Sequence, residues 1–214
     1  MFSSLDAVIV GGGFAGSVCA EQLAKAGKKV LVIEKKKHTG GHCFDFINDH
    51  GIYVHRYGPH IFHTDNKRVW TYLSQFTDWY YYQHHVLGYI DGKKVPIPFN
   101  FNSMKELFSP SLCTRLEEKL ISEFEYNSKI PILTLKQTKD QDLLFLAHYV
   151  YEKIFLSYNV KQWGAKPEDI DPAVSGRVPV MVSRDNRYFH NTYQGIPLKG
   201  YSGIVRNLLD HPAI

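Results

Sequence analysis

Three glycines spaced Gly11-x-Gly13-x-x-Gly16 stand between the apolar stretch Leu5–Val10 and a run with helical periodicity that begins at Ser17. This spacing suits a phosphate cradle. The first glycine permits a tight turn, the second admits a pyrophosphate to the backbone, and the third lets helix and strand pack closely. Ala15 lies in the same turn and counts with it. The N-terminus of the helix then points free N–H groups and a partial positive charge at the anion. Glu34 closes the next apolar stretch, Lys29–Glu34, where an acid accepts hydrogen bonds from a ribose. Glycines, strand, helix and acid in this order predict a bound dinucleotide.

Both nicotinamide and flavin dinucleotides suit such an acid. The segment after it, Glu34 to His42, adds Lys35 beside the carboxylate and then the pair Gly40-Gly41. It resembles flavoproteins, in which a second glycine pair lets backbone run along the dinucleotide. On that resemblance the expected cofactor is FAD, held by Gly11, Gly13, Ala15, Gly16, Glu34, Lys35, Gly41 and His42. Lys36 and Lys37 read as solvated charge.

The elements that position these residues follow from periodicity. Leu5–Val10 and Lys29–Glu34 read as buried strands joined by a helix over 17–26 that Gly27 stops. A helix of that length makes the strands parallel. A helix is expected over Asp65–Phe76, with Val69, Trp70, Leu73 and Phe76 on one stripe. A hairpin is expected over Val86–Pro96, turning at Asp91-Gly92. From about residue 100 the texture becomes helical. One run carries Leu112, Leu116, Leu120 and Phe124. A second is capped at Thr138-Lys139-Asp140-Gln141 and carries Leu144, Ala147, Val150, Tyr151 and Ile154. Residues 176–191 alternate like strands, and Tyr201–Leu209 reads as a closing helix. The fold class is therefore α/β. A Rossmann-like dinucleotide-binding βαβ domain (1–99) is followed by a helical insertion (100–165) and the start of a sheet-containing substrate domain (166–214).

Composition bounds the rest. The 214 residues are 44% hydrophobic and 21% charged, a globular balance. The net charge of +4 suits an anionic small ligand and is too weak for nucleic acid, which is not an expected partner. Cys19, Cys43 and Cys113 form no CxxC pair, so a reducing compartment is expected. With no apolar run of membrane-spanning length and no room for a signal peptide, a soluble cytoplasmic protein is expected. His60-x-x-His63 lacks a Cys/His partner at zinc spacing, so no metal is expected.

Four later motifs carry a more specific resemblance: Tyr57–Thr64 (YGPHIFHT), Tyr158–Gly164 (YNVKQWG), Gly176–Phe189 (GRVPVMVSRDNRYF) and Tyr193–Val205 (YQGIPLKGYSGIV). In this order, after a flavin fingerprint, they resemble bacterial UDP-galactopyranose mutases. The resemblance implies interconversion of UDP-galactopyranose and UDP-galactofuranose by reduced FAD, whose N5 acts as nucleophile at the anomeric carbon. It implies that Arg177 steadies the diphosphate and that His60 and Ile61 run beside the flavin ring, which gives Arg177 and His60 the catalytic roles. It places His84, Phe155, Tyr158, Asn159, Trp163 and Tyr188 with Arg177 on the substrate, Tyr158 as a stacking surface for uracil.

Two positions depart from that pattern. Met181 stands where the family commonly reads arginine, and His42 where many members read asparagine. Family members also run far past residue 214, which leads us to expect a truncated chain of weak or no activity. A homodimer is left open. Two other functions share the fingerprint: an FAD-dependent oxidase of the same fold group, and a non-catalytic FAD- or UDP-binding fragment.

Overall fold

The computed structural model describes residues 4–171 and 178–214. Strand β1 (Ala7–Val10) leads into helix α1 (Phe14–Lys25) and strand β2 (Val30–Ile33). The two strands pair in parallel, Ala7 opposite Val30 and Val10 opposite Ile33. This is the expected βαβ unit. α1 starts at residue 14, three residues before the apolar period suggests, because extended Gly13 serves as its N-cap without any side chain.

The chain separates into two compact units, 1–83 with 191–214, and 84–190. They run differently from the three expected domains. The hairpin at 86–97 belongs with the helices, and the closing helix belongs with the glycine turn.

In the first unit, a one-turn 3₁₀ helix at Gly41–Cys43 precedes the antiparallel pair β3 (Asp45–Ile47) and β4 (Tyr53–His55). Strand β5 (Phe62–Thr64) and helix α2 (Lys67–Leu73) follow, then β6 (Trp79–Tyr80). α2 is shorter than expected because the Asn66 side chain caps it, accepting from the N–H groups of Arg68 and Val69. Phe62, Trp70 and Trp79 stack with centroids 4.6–5.9 Å apart. Phe62 and Trp79 of this stack pack against the buried cluster of Leu73, Ile204 and Leu208.

In the second unit, β7 (Val86–Ile90) and β8 (Lys93–Ile97) form the expected hairpin. Asp91 and Gly92 both take positive φ at its tip. Helices α3 (Phe101–Leu107), α4 (Pro110–Phe124), α5 (Ile132–Leu135) and α6 (Gln141–Val150) follow, with β9 (Lys129–Ile130) before α5. The cap of α6 is Asp140, whose carboxylate accepts from Asp142 and Leu143, not the expected box begun at Thr138. Its buried stripe is Leu143, Leu146, Ala147 and Val150, so Leu143 replaces the expected Leu144. α6 then widens into a π-helix at Tyr151–Leu156 before α7 (Ser157–Trp163). Among the described residues, the strands expected at 176–191 reduce to β10 (Val180–Met181), paired with β9, and a bridge between His85 and Arg187.

The chain then returns to the first unit through β11 (Tyr193–Pro197), which lies between β5 and β6. Helix α8 (Gly200–Leu209) ends it, near the expected bounds.

Candidate functional site

The glycine turn is fitted to backbone alone. A Cβ on Gly16 would stand 2.0 Å from the Gly11 carbonyl oxygen, so the turn and the helix touch only because Gly16 has none. Gly11 takes φ 105°, open to glycine at no cost. The expected second glycine pair closes against the first. The Gly40 N–H donates to the Gly12 carbonyl at 2.7 Å, and a Cβ on Gly41 would lie 3.3 Å from the Gly13 Cα. Two glycine segments therefore form one backbone-lined cradle at the N-terminus of α1, where no side chain occupies the cap.

Glu34 sits at its edge. Oε2 accepts from the Gly12 N–H at 2.7 Å and Oε1 from the Lys36 N–H at 2.8 Å. The amides of Lys36 and Gly12 hold this carboxyl below the ordinary glutamate range. Lys35 is exposed. Lys36 instead lays its ammonium 4.2 Å from the centre of the Tyr57 ring. His38 stacks on Phe44 at 3.8 Å and its Nε2 is 3.0 Å from the Tyr57 hydroxyl. His42 packs edge-on to Tyr57 at 5.7 Å. Sequence reading gave His38 and Phe44 no role and Tyr57 only its place in a motif, because only the folded chain brings the three together.

These features fit a dinucleotide: a helix tip without a side-chain cap, backbone amides free of Cβ crowding, and an ionised acid. Gly11, Gly13, Ala15, Gly16, Glu34, Gly41 and His42 all lie on or beside this cradle.

His60 is connected to the first residue of α1 through Tyr201. The Tyr201 hydroxyl donates to the His60 carbonyl at 3.1 Å, and its ring packs edge-on to His60, His55 and Phe14. Phe14 is the first residue of α1. The His60 N–H donates to His55 Nδ1 at 3.4 Å, while His60 Nδ1 is buried without a hydrogen-bond partner among the described residues. Buried polar groups are nearly always hydrogen-bonded, so a ring nitrogen without a partner in the chain has room for one from water or a ligand. Burial lowers the His55 pKa, partly opposed by Asp45. Asp45 itself is buried and accepts from the N–H groups of Tyr201 and Ser202 at 2.7 and 2.8 Å, which anchors α8.

The expected substrate residues His84, Phe155, Tyr158, Asn159, Trp163 and Tyr188 belong to the second unit. Tyr158 and Trp163 are half-exposed, whereas Phe155 and Asn159 are buried. Phe155 belongs to the helical core, and the Asn159 Nδ2 is buried with no partner among the described residues. The Tyr188 N–H donates to the His84 carbonyl at 2.7 Å, their rings lying 5.8 Å apart. Burial, with neighbouring Tyr158, raises the Tyr188 hydroxyl pKa. So His84, Tyr158 and Tyr188 lie near one another.

Arg177 lies outside the described residues. Arg184 and Arg187, later in the sequence, are paired with Glu117 and Asp185. Met181, at the family's arginine position, is buried in β10, where an apolar side chain belongs. Among the described residues no group of three His, Cys, Asp or Glu could hold a metal, and no helix is long and apolar enough to cross a membrane.

The NAD(P)-binding Rossmann-like domain family matches residues 9–76, and the UDP-galactopyranose mutase family matches residues 153–214. A Klebsiella pneumoniae protein named as a probable UDP-galactopyranose mutase is 35% identical over 97% of this chain and 53% of its own length. The dTDP-fucopyranose mutase of Escherichia coli is also 35% identical, over 97% of this chain and 54% of its own. The UDP-galactopyranose mutase of Mycoplasma pneumoniae is 33% identical over the whole chain and 54% of its own length. In backbone, the chain resembles a reduced UDP-galactopyranose mutase with TM-score 0.58 at 16% identity, covering 96% of this chain and 46% of that one. It resembles a putrescine oxidase with TM-score 0.53 at 15% identity, covering 95% and 48%. Those two likenesses show the fold alone. The chain spans about half the length of the curated relatives it matches, and along its whole extent it is similar in sequence to proteins named as UDP-galactopyranose mutases.

Proposed function

We propose that this chain binds FAD in the glycine cradle and forms part of a flavin-dependent mutase that interconverts the pyranose and furanose forms of a nucleotide-linked galactose. The observation that carries the reading is the double glycine turn closed on Glu34, in a chain with mutase relatives along its full extent.

The cradle residues have separate tasks. The N–H groups of the α1 tip would hold the pyrophosphate, and Glu34 would accept from the ribose. Bound and reduced, the flavin supplies an electron-rich N5 nucleophile for the anomeric carbon. His60, with its unpaired Nδ1, offers a hydrogen bond to the ring system. In the second unit, Tyr158 offers an exposed face for the pyrimidine, and Trp163 an exposed face for the sugar. Arg177 steadies the departing nucleoside diphosphate. A guanidinium fork suits its oxygens better than a point charge.

The base and sugar stay within a class. The equal 35% identity to a dTDP-fucopyranose mutase supports a second reading, in which the nucleotide is dTDP and the sugar a 6-deoxyhexose.

The test is redox-gated turnover. The chain, supplied with FAD and dithionite, is incubated with UDP-galactofuranose and with dTDP-fucofuranose. Conversion only under reduction supports the reading, and the faster substrate decides between the two nucleotides. Equal rates with oxidised flavin overturn the N5 role. Oxygen-dependent turnover of an amine would assign an oxidase instead. UDP binding that quenches Trp163, without conversion under reduction, would leave a binding module.

A further inference from the structure

His60 is held from several directions, all within the first unit. Its N–H donates to His55 Nδ1 at 3.4 Å, and its carbonyl accepts from the Tyr201 hydroxyl at 3.1 Å. Its ring stacks against His55 with centroids 6.0 Å apart and stands edge-on to Tyr201 at 6.3 Å. With backbone and ring both held, Nδ1 is left buried without a partner among the described residues.

Tyr201 is itself firmly mounted. It is 4% exposed, and its N–H donates to Asp45 Oδ2 at 2.7 Å. The next residue, Ser202, returns to Asp45 twice, its N–H donating to Oδ1 and its hydroxyl to the backbone carbonyl. The Tyr201 ring also packs edge-on to Phe14, the first residue of α1, at 6.1 Å. Burial raises the pKa of its hydroxyl, so the group stays protonated and able to donate. One side chain thus links β3, the α1 tip and the His60 carbonyl. Packing alone calls for the ring, which a phenylalanine would supply, and leaves the hydroxyl without a task.

We propose that Tyr201 is a positioning residue, with His55 as its partner: together they fix His60 relative to the α1 tip, so that Nδ1 stays available to a cofactor bound there. The inference rests on the reading that FAD occupies the glycine cradle. A hydrogen-bonding group fixed before binding needs no reorganisation when charge builds up beside it. Hydrogen bonds to the ring system are one way a protein tunes a flavin. With its proton on Nδ1, a mounted His60 is a fixed donor, which favours the electron-rich reduced flavin over the oxidised one. Released from Tyr201 or His55, the ring loses that preference.

Tyr201→Phe keeps the ring and removes the hydroxyl. In the full chain without FAD, it should speed hydrogen exchange at the His60 amide about tenfold and shift the His55 and His60 ring signals in NMR spectra. With FAD, it should weaken the reduced form about tenfold more than the oxidised form, which lowers the two-electron potential by about 30 mV. His55→Ala should repeat that shift. His55→Asn, whose amide oxygen can accept from the His60 N–H in place of Nδ1, should largely restore the potential. Tyr72→Phe removes another hydroxyl of the same unit, one that donates to Glu21 at 2.7 Å. It should lower stability without moving the potential. An unchanged potential in Tyr201→Phe, or an equal shift in Tyr72→Phe, overturns the proposal while leaving the cofactor reading intact. Failure of the unsubstituted chain to bind FAD overturns the cofactor reading, and the role of Tyr201 with it. Should Tyr201→Phe not fold, the two His55 variants decide, and equal potentials in both overturn the proposal.

Discussion

Gly12 and Glu34, 22 residues apart, are joined by one hydrogen bond: the Gly12 N–H donates to Glu34 Oε2 at 2.7 Å. With Lys36 on the other oxygen, the carboxylate holds two backbone amides and fixes the acid beside the turn. Both loops of the cradle therefore depend on a side chain at the end of β2. Its placement ties the sheet to the ligand-facing surface.

Glu34→Ala should leave the fold intact and weaken FAD binding about tenfold, read by flavin fluorescence titration. The same titration tests its charge. The Glu34 pKa is lowered by the amides of Lys36 and Gly12, so its contribution is present above the ordinary glutamate range and lost as pH falls through its lowered value. Affinity should stay flat from near-neutral pH to about 5, then fall below about 4.3. An affinity that tracks pH near neutrality would point to a histidine instead.

Two glycines separate crowding from backbone strain. Gly16→Ala places a Cβ 2.0 Å from the Gly11 carbonyl, so strand and helix must part. It should cost about 3 kcal/mol or more and abolish cofactor binding. At Gly27 (φ 78°) no atom lies within 4 Å of an added Cβ. Gly27→Ala should cost only about 1–2 kcal/mol, with the cradle intact. Urea unfolding and FAD titration on both variants give the comparison.

The βαβ unit was legible because its information is local. Two apolar runs, a periodic helix and glycines at fixed offsets lie within residues 5–34. The family motifs were legible in the same way. What the sequence hid depends on distant partners. Asp140 displaces the box begun at Thr138 because its carboxylate bonds the α6 amides and also meets Lys119 of α4. Among the described residues, the strands expected at 176–191 reduce to β10, paired with Lys129 and Ile130, and a bridge from Arg187 to His85, partners that lie far away in the sequence. The π-helix leaves no mark in an apolar period that continues through it. Tyr57 and Tyr201 lie in quoted motifs, yet nothing in the sequence assigns them the contacts with Lys36 and His60 that folding creates.

Acid should weaken the folded chain before its carboxylates titrate. Burial lowers the pKa of both His55 and His190, against the pull of Asp45 and Asp185. The unfolded chain then binds more protons, so stability is full above the ordinary histidine range and falls as pH drops below about 6.5. Unfolding midpoints at pH 5.5 and 7.5 measure the loss, which should shrink in His55→Gln with His190→Gln. A midpoint that rises on acidification would contradict burial as the cause.

The contact that docks α8 to β3 rests on Asp45 and Gly200. Asp45→Ala removes the acceptor of the Tyr201 and Ser202 amides, each worth about 1–3 kcal/mol when left unpaired in the interior. Gly200→Ala drives a Cβ to 2.6 Å from the same carboxylate at φ 70°, so it should be destabilising for a steric reason. The double variant should cost less than the sum of the two, because removing the carboxylate also removes the clash. Denaturant unfolding of the four proteins reads the coupling, and strict additivity would place the clash elsewhere.

Phe155 and Tyr158, three residues apart, divide the work of one segment. Phe155 is 3% exposed and part of the helical core, so Phe155→Ala should cost about 3–5 kcal/mol through the cavity it leaves. Tyr158 is 47% exposed, so Tyr158→Ala should change stability little. If its exposed ring is the stacking surface for the pyrimidine, that variant should weaken UDP binding by about 1–3 kcal/mol, the scale of base–aromatic stacking. FAD affinity, set in the other unit, should stay unchanged. Calorimetric titration with UDP, beside flavin titration and urea unfolding, separates the three quantities. Full UDP affinity in Tyr158→Ala would remove this residue from the nucleotide site, while its lost stability would return it to the core.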